Sequence, residues 1–360
     1  MYDVIIIGGG ASGLTLANVL KNRGKKFIVL EKEDRVGKKI LVTGNGKCNM
    51  SNAVMNASFY NNEFVKNVLD IDVISYFKAL GLVTKVTENR IYPYSESATN
   101  VVNVLRKNIE DELRCGQEVT RIERTAEGFK VGGLLTKNVA LCTGSNATKG
   151  TASYNLFKPF GHERTKLVPS IAPLVTDVKY TKGLAGVRFK AELSLYERGE
   201  KVAARKGEVL FKENGLSGIV SMELSSFIAR RGGGDGFTIG IDFIPEYDIE
   251  YLEEFFKREE PTAFLPKGIA LAALKQSGDR NISLARCVKN FTVENVKVGD
   301  TKNAQVICGG LRTDEFDENL QSKLCPGLYA LGEVLDVDGE CGGYNLHFAF
   351  ACGIKVGESI

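Results

Sequence analysis

At 360 residues, 43% of them hydrophobic, the chain exceeds the size at which a single core stops growing, so two domains are expected. Lysine plus arginine (47) against aspartate plus glutamate (44) leaves a net charge of +3, too balanced for a field that gathers nucleic acid or anionic lipid. The one long apolar stretch, residues 4–20, is broken by Gly8, Gly9, Gly10 and Gly13 and follows Asp3 instead of a basic leader, so it reads as neither a signal peptide nor a membrane span.

Residues 3–7 form a short apolar run that ends in a glycine cluster. Leu14, Ala17, Val19 and Leu20 follow at helical intervals, and residues 26–30 make a second run, so the chain opens with a β-α-β unit. Its turn carries Gly8, Gly10 and Gly13 in the G-x-G-x-x-G pattern. The first glycine permits the tight turn, the second lets a pyrophosphate approach the backbone, and the third lets helix pack on strand. The helix opening at Ala11 and Ser12 offers free N–H groups and a positive dipole end to the phosphates. Glu31, at the end of the second run, is placed to accept from both ribose hydroxyls and would repel a 2′-phosphate, which admits FAD or NAD and disfavours NADP. A glycine-rich turn beside an exposed glutamate is the bland alternative, and the strand-turn-helix-strand context argues against it.

Residues 37–49 read as a basic, glycine-rich loop suited to cross a pyrophosphate and the flavin extending from it, although any such run can be plain surface. Tyr92 and Tyr94, around Pro93, lead into a helix predicted over 101–113 and could face a substrate cavity or pack in the core. From residue 173 to about 302 the pattern changes. Val187, Phe189, Ala191, Leu193 and Leu195 alternate with polar neighbours, as in an antiparallel, half-exposed sheet, and helices predicted over 217–231, 248–257 and 266–276 add a small cap.

Residues 327–331 read as a strand running into an acidic turn at Gly332 and Glu333, and Gly342, Gly343, Tyr344 and Asn345 open a helix that continues through Leu346, Phe348 and Ala351. An acid such as Glu333 can bind a ribitol hydroxyl, and a helix N-terminus aimed at flavin N1 and C2=O stabilises the charge of reduced flavin. Cofactor signals on both sides of the middle segment make it an insertion. The fold class expected is α/β, a Rossmann-type FAD-binding domain over 1–176 and 304–360, with an inserted antiparallel β plus helical domain over 177–303 acting as a lid over the isoalloxazine. No internal repeat or low-complexity segment is present.

From end to end the chain resembles the BaiN-like flavoproteins, a family that includes bile-acid 3-oxo-Δ4,6 reductases and aminoacetone oxidases. The resemblance rests on Val42-Thr43-Gly44-Asn45-Gly46-Lys47-Cys48-Asn49, Arg90-Ile91-Tyr92-Pro93, Cys142-Thr143-Gly144, Gly215-Leu216-Ser217-Gly218 and Gln321-Ser322-Lys323. Its most specific part is Gly332-Glu333-Val334-Leu335-Asp336-Val337-Asp338-Gly339 followed by Gly342-Gly343-Tyr344-Asn345. It implies bound FAD, with Gly8, Gly10, Ala11, Ser12 and Gly13 at the pyrophosphate, Glu31 at the ribose, Lys32 and Lys39 as further contacts, the Val119 backbone at the adenine, and Thr143 and Gly144 beside the adenosine. Thr43, Gly44, Asn45, Gly46, Lys47, Cys48 and Asn49, with Gly332, Glu333, Gly342, Gly343, Tyr344, Asn345 and Leu346, would line the ribitol and isoalloxazine. The chain departs from the family at Lys47, where arginine is usual, at Lys212-Glu213-Asn214, where a Thr-His pair is usual, and over 146–154, a weaker form of a Ser-Tyr-Pro loop.

Eight cysteines show no C-x-x-C pair and the two histidines stand apart at 162 and 347, so no metal site is expected and the thiols are read as reduced, in a cytoplasm. Cys48 lacks a resolving partner nearby and is read as packing under the cofactor before it is read as redox-active. His347 is read as a packed histidine before a proton donor, while Tyr344 is open between substrate contact and helix closure. No side chain is singled out as catalytic, since hydride transfer at flavin N5 needs none. No second glycine fingerprint followed by an acid is present, so NADH or NADPH would visit transiently. By resemblance, the leading activity is reduction of an α,β-unsaturated ketone of bile-acid type with NAD(P)H. Oxidation of an amine with O2 is the alternative, and a flavin redox sensor or RNA-associated flavoprotein is the reading of another class. The expected partner is a small molecule, with no nucleic acid and no membrane; the sequence does not determine the oligomeric state.

Overall fold

The computed structural model describes residues 1–147, 150 and 152–360. Contacts divide it into two compact units, Met1–Leu167 with Val306–Ile360, and Val168–Gln305.

The first unit opens as the hydrophobic pattern predicts, with β1 (Tyr2–Ile7), α1 (Ala11–Asn22) and β2 (Phe27–Leu30). β1 and β2 pair in parallel, Val4 opposite Phe27 through Ile7 opposite Leu30. Val4, Ile5, Ile6 and Val29 are fully buried, the continuous apolar run of a strand covered on both faces. The segment expected as a loop is instead a short helix, α2 (Lys38–Val42), and a tight turn over Thr43–Gly46. β3 (Ser51–Asn52), α3 (Val73–Ala79), β4 (Thr84–Thr87) and β5 (Arg90–Pro93) follow, and β3, β5 and β4 make a small antiparallel sheet that puts Tyr92 on a strand, not in a loop.

α4 (Ala98–Arg106) buries Ala98, Val101, Val102 and Leu105 but ends at Arg106, short of the predicted 113. The reason is a competing sheet bond. β6 (Leu113–Arg114) pairs with Val29 and Leu30, and the Glu31 N–H donates to the Arg114 carbonyl at 2.9 Å, which requires extended backbone there. β7 (Ile122–Thr125) and β8 (Gly128–Val131) form an antiparallel pair that leads into β9 (Leu134–Leu141), parallel to β1.

The second unit contains β10 (Val168–Ser170), β11 (Leu174–Val175), β12 (Arg188–Glu197), β13 (Glu200–Lys212), β14 (Gly215–Ser217), α5 (Ile219–Arg230), β15 (Phe237–Asp242), α6 (Ile249–Phe255), α7 (Lys267–Arg280), α8 (Leu284–Lys289) and β16 (Phe291–Val298). The alternation along β12 is as predicted, with Ala191, Leu193 and Leu195 fully buried. The sheet is not open, however: β11-β14-β13-β12-β15-β16 closes into a barrel. The two-residue strand β11 joins the ends, with Leu174 opposite both Leu216 and Val298, and closure removes the unpaired edges an open sheet would present. Contacts start this unit at Val168, with β10, where the sequence pattern placed the boundary at residue 177. α5 begins two residues later than predicted because 215–217 pair with β13, α7 runs on to Arg280, and α8 was not foreseen.

The chain returns to the first unit through β17 (Val306–Cys308), β18 (Leu328–Ala330) and α9 (Tyr344–Ser359). β18 runs parallel to β9, which completes a parallel order β6-β2-β1-β9-β18. α9 packs on α1, where Gly353 and Gly357 face Ser12, Thr15 and Val19 closely enough that any side chain there would collide.

Candidate cofactor site

The carboxyl ends of β1, β2, β9 and β18 share one edge of the parallel sheet, and the residues that follow each strand are Gly8, Glu31, Cys142 and Leu331. This edge, where α/β sheets bind nucleotides, is where the structure gathers the predicted residues.

A Cβ at Gly13 would lie 2.0 Å from the Gly8 carbonyl oxygen, so helix and turn touch backbone to backbone. At Gly10 the nearest atom would be 3.9 Å away, which leaves the space a pyrophosphate needs. Gly10 is also the N-cap of α1, with no side chain satisfying the first N–H groups, while the Ser12 hydroxyl donates to the Leu331 carbonyl. Glu31 accepts from the Gly9 N–H at 2.7 Å through one carboxylate oxygen and from the Glu33 N–H at 2.9 Å through the other. Its orientation is therefore set by backbone, and each oxygen keeps a lone pair for a hydroxyl. The Gln117 N–H donates to the Glu31 carbonyl, which brings the extended segment leading to buried Val119 beside the same residue. Lys32 is half-buried immediately after Glu31. Across β1, the Thr143 hydroxyl accepts from the Ser153 N–H at 3.2 Å, and Gly144 stands in the left-handed region.

The turn after α2 coils tightly: Gly44, Asn45, Gly46 and Cys48 all have positive φ. The Thr43 hydroxyl donates to the Ile40 carbonyl and closes α2. Gly44, Asn45, Gly46 and Lys47 are exposed; Lys47 is paired with Glu96, which also holds Lys85, and the two ammonium groups bring the Glu96 carboxyl down to about 2. Cys48 is fully buried, and desolvation pushes its thiol up to about 12 despite a hydrogen bond with Thr43. Glu333 is committed more heavily than its predicted ribitol contact implies: one oxygen pairs with Lys39, whose ammonium also reaches Ser145 at 3.3 Å, and the other accepts from the Ile307 N–H.

At the start of α9, Gly343 is the N-cap, again without a side-chain cap, and a Cβ there would meet the Ser51 carbonyl oxygen at 2.5 Å and Asn49 Oδ1 at 2.8 Å. Asn49 Oδ1 is buried without a hydrogen-bond partner among the described residues. Two neighbours are occupied elsewhere. Tyr344 stacks on Phe59 and donates to the Val54 carbonyl, so its side chain closes the helix start, and Asn345 exchanges two hydrogen bonds with the Gly339 backbone. Only their backbone N–H groups remain for a flavin edge. Leu346 is half-buried in the same turn. His347 is packed, as expected, but only half satisfied: Nδ1 meets the Ser51 hydroxyl at 2.8 Å, and Nε2 has no partner among the described residues. Burial brings its imidazole down to about 4.

Open space at Gly10, two uncapped helix starts, a carboxylate fixed at the end of β2 and an unpaired acceptor at Asn49 fit a flavin dinucleotide. Sequence reasoning missed Gly9, whose Cβ would strike Val36, and Ser145, which anchors Lys39. The triple glycine was the only signal for the first, and nothing marked the second. Of the loop 146–154, residues 148, 149 and 151 lie outside the described residues. No cluster of metal-ligating side chains occurs among the described residues, and no helix there is long and apolar enough to cross a membrane.

Residues 2–359 match the HI0933-like protein Rossmann domain family. The 3-dehydro-bile acid delta(4,6)-reductase of Clostridium scindens is 31% identical over all of this chain and 99% of its own length. Ribosomal RNA dihydrouridine synthases of Haemophilus influenzae and Escherichia coli are 27% and 24% identical, covering 98% and 97% of this chain and 98% and 96% of their own. A glycine turn, a backbone-held carboxylate at the end of β2 and a family match that spans the chain lead to the same conclusion: the chain belongs to the HI0933-like Rossmann family, is BaiN-like, and is an FAD-dependent oxidoreductase.

Proposed function

We propose that the chain reduces a carbon–carbon double bond conjugated to a carbonyl, in a steroid-like ketone, with electrons from NADH or NADPH. The observation that carries this reading is the 31% identity, over the whole of both chains, to a reductase that acts on a 3-dehydro-bile acid. FAD, when bound, would supply hydride from N5 to the carbon β to the carbonyl, and the α carbon would take a proton from solvent. The protein's part is binding and electrostatics. Gly8 to Gly13 and the start of α1 take the pyrophosphate, Glu31 the ribose, and Val119, Thr143 and Gly144 the adenosine. The Thr43 to Asn49 turn, Lys39 with Glu333, and the backbone of Gly342 to Leu346 would hold the ribitol and flavin, with the positive dipole end of α9 turned toward the N1–C2=O edge where it would stabilise negative charge.

A second reading is favoured by the two full-length RNA-modifying relatives. A uracil ring carries a C5=C6 bond conjugated to its C4 carbonyl, so reduction of uridine is the same bond chemistry on a different carrier. Anaerobic mixing with NADH and NADPH tests the first half-reaction through bleaching of the flavin band. Recolouring by a 3-oxo-Δ4,6 steroid supports the steroid reading, and recolouring by ribosomal RNA with a two-hydrogen mass gain on a uridine supports the second. Bleaching by aminoacetone followed by recolouring in air would overturn both.

A further inference from the structure

The Tyr154 phenol is 6% exposed, and its hydroxyl is buried without a hydrogen-bond partner among the described residues. An enclosed hydroxyl with no acceptor has lost its hydrogen bonds to water without replacing them, so a native fold that keeps one calls for an explanation. The position suggests it. Tyr154 begins a short 3-10 turn, Tyr154–Leu156, and the chain just before it is pinned to the cofactor edge at two places: the Ser153 N–H donates to the Thr143 hydroxyl, and Ser145 accepts from Lys39, the partner of Glu333. Burial pushes the phenol above its ordinary value, and the nearby Glu333 and Asp336 carboxylates push it further, against the pull of Arg164, whose guanidinium lies 6.0 Å from the ring centroid. The hydroxyl is therefore a protonated donor without an acceptor, within electrostatic reach of Glu333, the residue placed at the ribitol.

We propose that Tyr154 is a further cofactor contact, its hydroxyl donating to a ribitol oxygen of FAD. The inference rests on the placement of FAD along this sheet edge. The sequence marks Tyr154 only as the end of a weakened Ser-Tyr-Pro loop; the orphaned hydroxyl is what singles it out as a contact.

The test is Tyr154→Phe in the full-length protein, stripped of cofactor and titrated with FAD, riboflavin and ADP. A lost neutral hydrogen bond predicts FAD and riboflavin binding weakened roughly threefold to tenfold, with ADP binding unchanged. The cofactor-free variant should melt no lower than the parent, because the fold loses an unsatisfied group, while the stabilisation added by FAD should shrink. Unchanged FAD and riboflavin affinity would overturn the proposal. So would a cofactor-free variant that melts lower, since the hydroxyl would then have an internal partner, and so would equal weakening of ADP, since the contact would then lie outside the ribitol. A parent protein that binds no FAD would instead defeat the placement of the cofactor, an outcome separable from all of these.

Discussion

Two glycines three residues apart in one turn should respond oppositely to the same methyl group. At Gly13 a Cβ would lie 2.0 Å from the Gly8 carbonyl oxygen, so Gly13→Ala must shift helix against strand and should destabilise the first unit by a few kcal/mol. At Gly10 the φ of −89° suits any residue and the nearest atom would be 3.9 Å away, so Gly10→Ala should leave the cofactor-free melting temperature within a degree or two. Its methyl enters the space reserved for pyrophosphate, so FAD affinity should fall at least tenfold. Melting curves with and without FAD check both; equal losses of fold stability would show that Gly10 is structural. His347 offers a pH signature. Its imidazole is lowered from 6.5 to about 4, chiefly by burial, with Asp72 opposing. The unfolded chain takes up this proton near 6.5 and the folded chain only near 4, so the neutral histidine contributes fully above about 6.5 and its contribution is lost as pH falls toward 4. The ceiling is about 3 kcal/mol. His162, lowered by burial beside Glu315, adds a loss in the same direction. Urea unfolding at pH 7 and pH 4.5 should show a smaller drop for His347→Gln than for the parent, and equal drops would show that the residue does not titrate in this range.

The start of α9 is where an element, not a residue, decides the chemistry. Its motif was legible because the run from Gly332 to Gly339 followed by Gly342-Gly343-Tyr344-Asn345 is hard to meet by chance. The division of labour was hidden, because which side chains face the cofactor depends on what else packs there: Tyr344 is drawn to Phe59 and Val54, and Asn345 to Gly339. Gly343, at φ 98° and pressed on the Ser51 carbonyl, has no room for a side chain, so Gly343→Val should do more than tune the flavin. It should separate α9 from β3, lower the first unit's stability and, in whatever fraction retains FAD, lower the reduction potential by removing the helix end from the flavin. Dye-coupled redox titration with circular dichroism melts measures both, and a variant with unchanged melting and potential would remove α9 from the flavin's surroundings. The same limit explains α4. Its apolar spacing predicts helix beyond residue 106, but local periodicity does not report that Leu113 and Arg114 complete a ladder with β2.

At the scale of the whole molecule, every candidate cofactor residue lies in Met1–Leu167 or Val306–Ile360, and the barrel strands complete their own hydrogen bonds within Val168–Gln305. FAD at one hundred times its dissociation constant adds about 2.7 kcal/mol to the unit that binds it. Hydrogen exchange should therefore slow by roughly a hundredfold at first-unit amides that open only by global unfolding. Amides of β12, β13 and β15 should keep their own rates, and equal slowing there would place cofactor contacts in the second unit. The sequence alone determined the β-α-β opening, the acid at its end, the inserted middle and the two-part cofactor signal. Each follows from local spacing: period-two and period-3.6 hydrophobicity, and glycines whose backbone cannot be replaced. Only the tertiary structure decided that the insertion closes into a barrel through two residues, that Lys39 engages Glu333, and that Tyr154 keeps a hydroxyl in reserve. These depend on contacts between residues far apart in the chain, and on burial, which leaves polar groups unsatisfied only once the whole fold has formed around them.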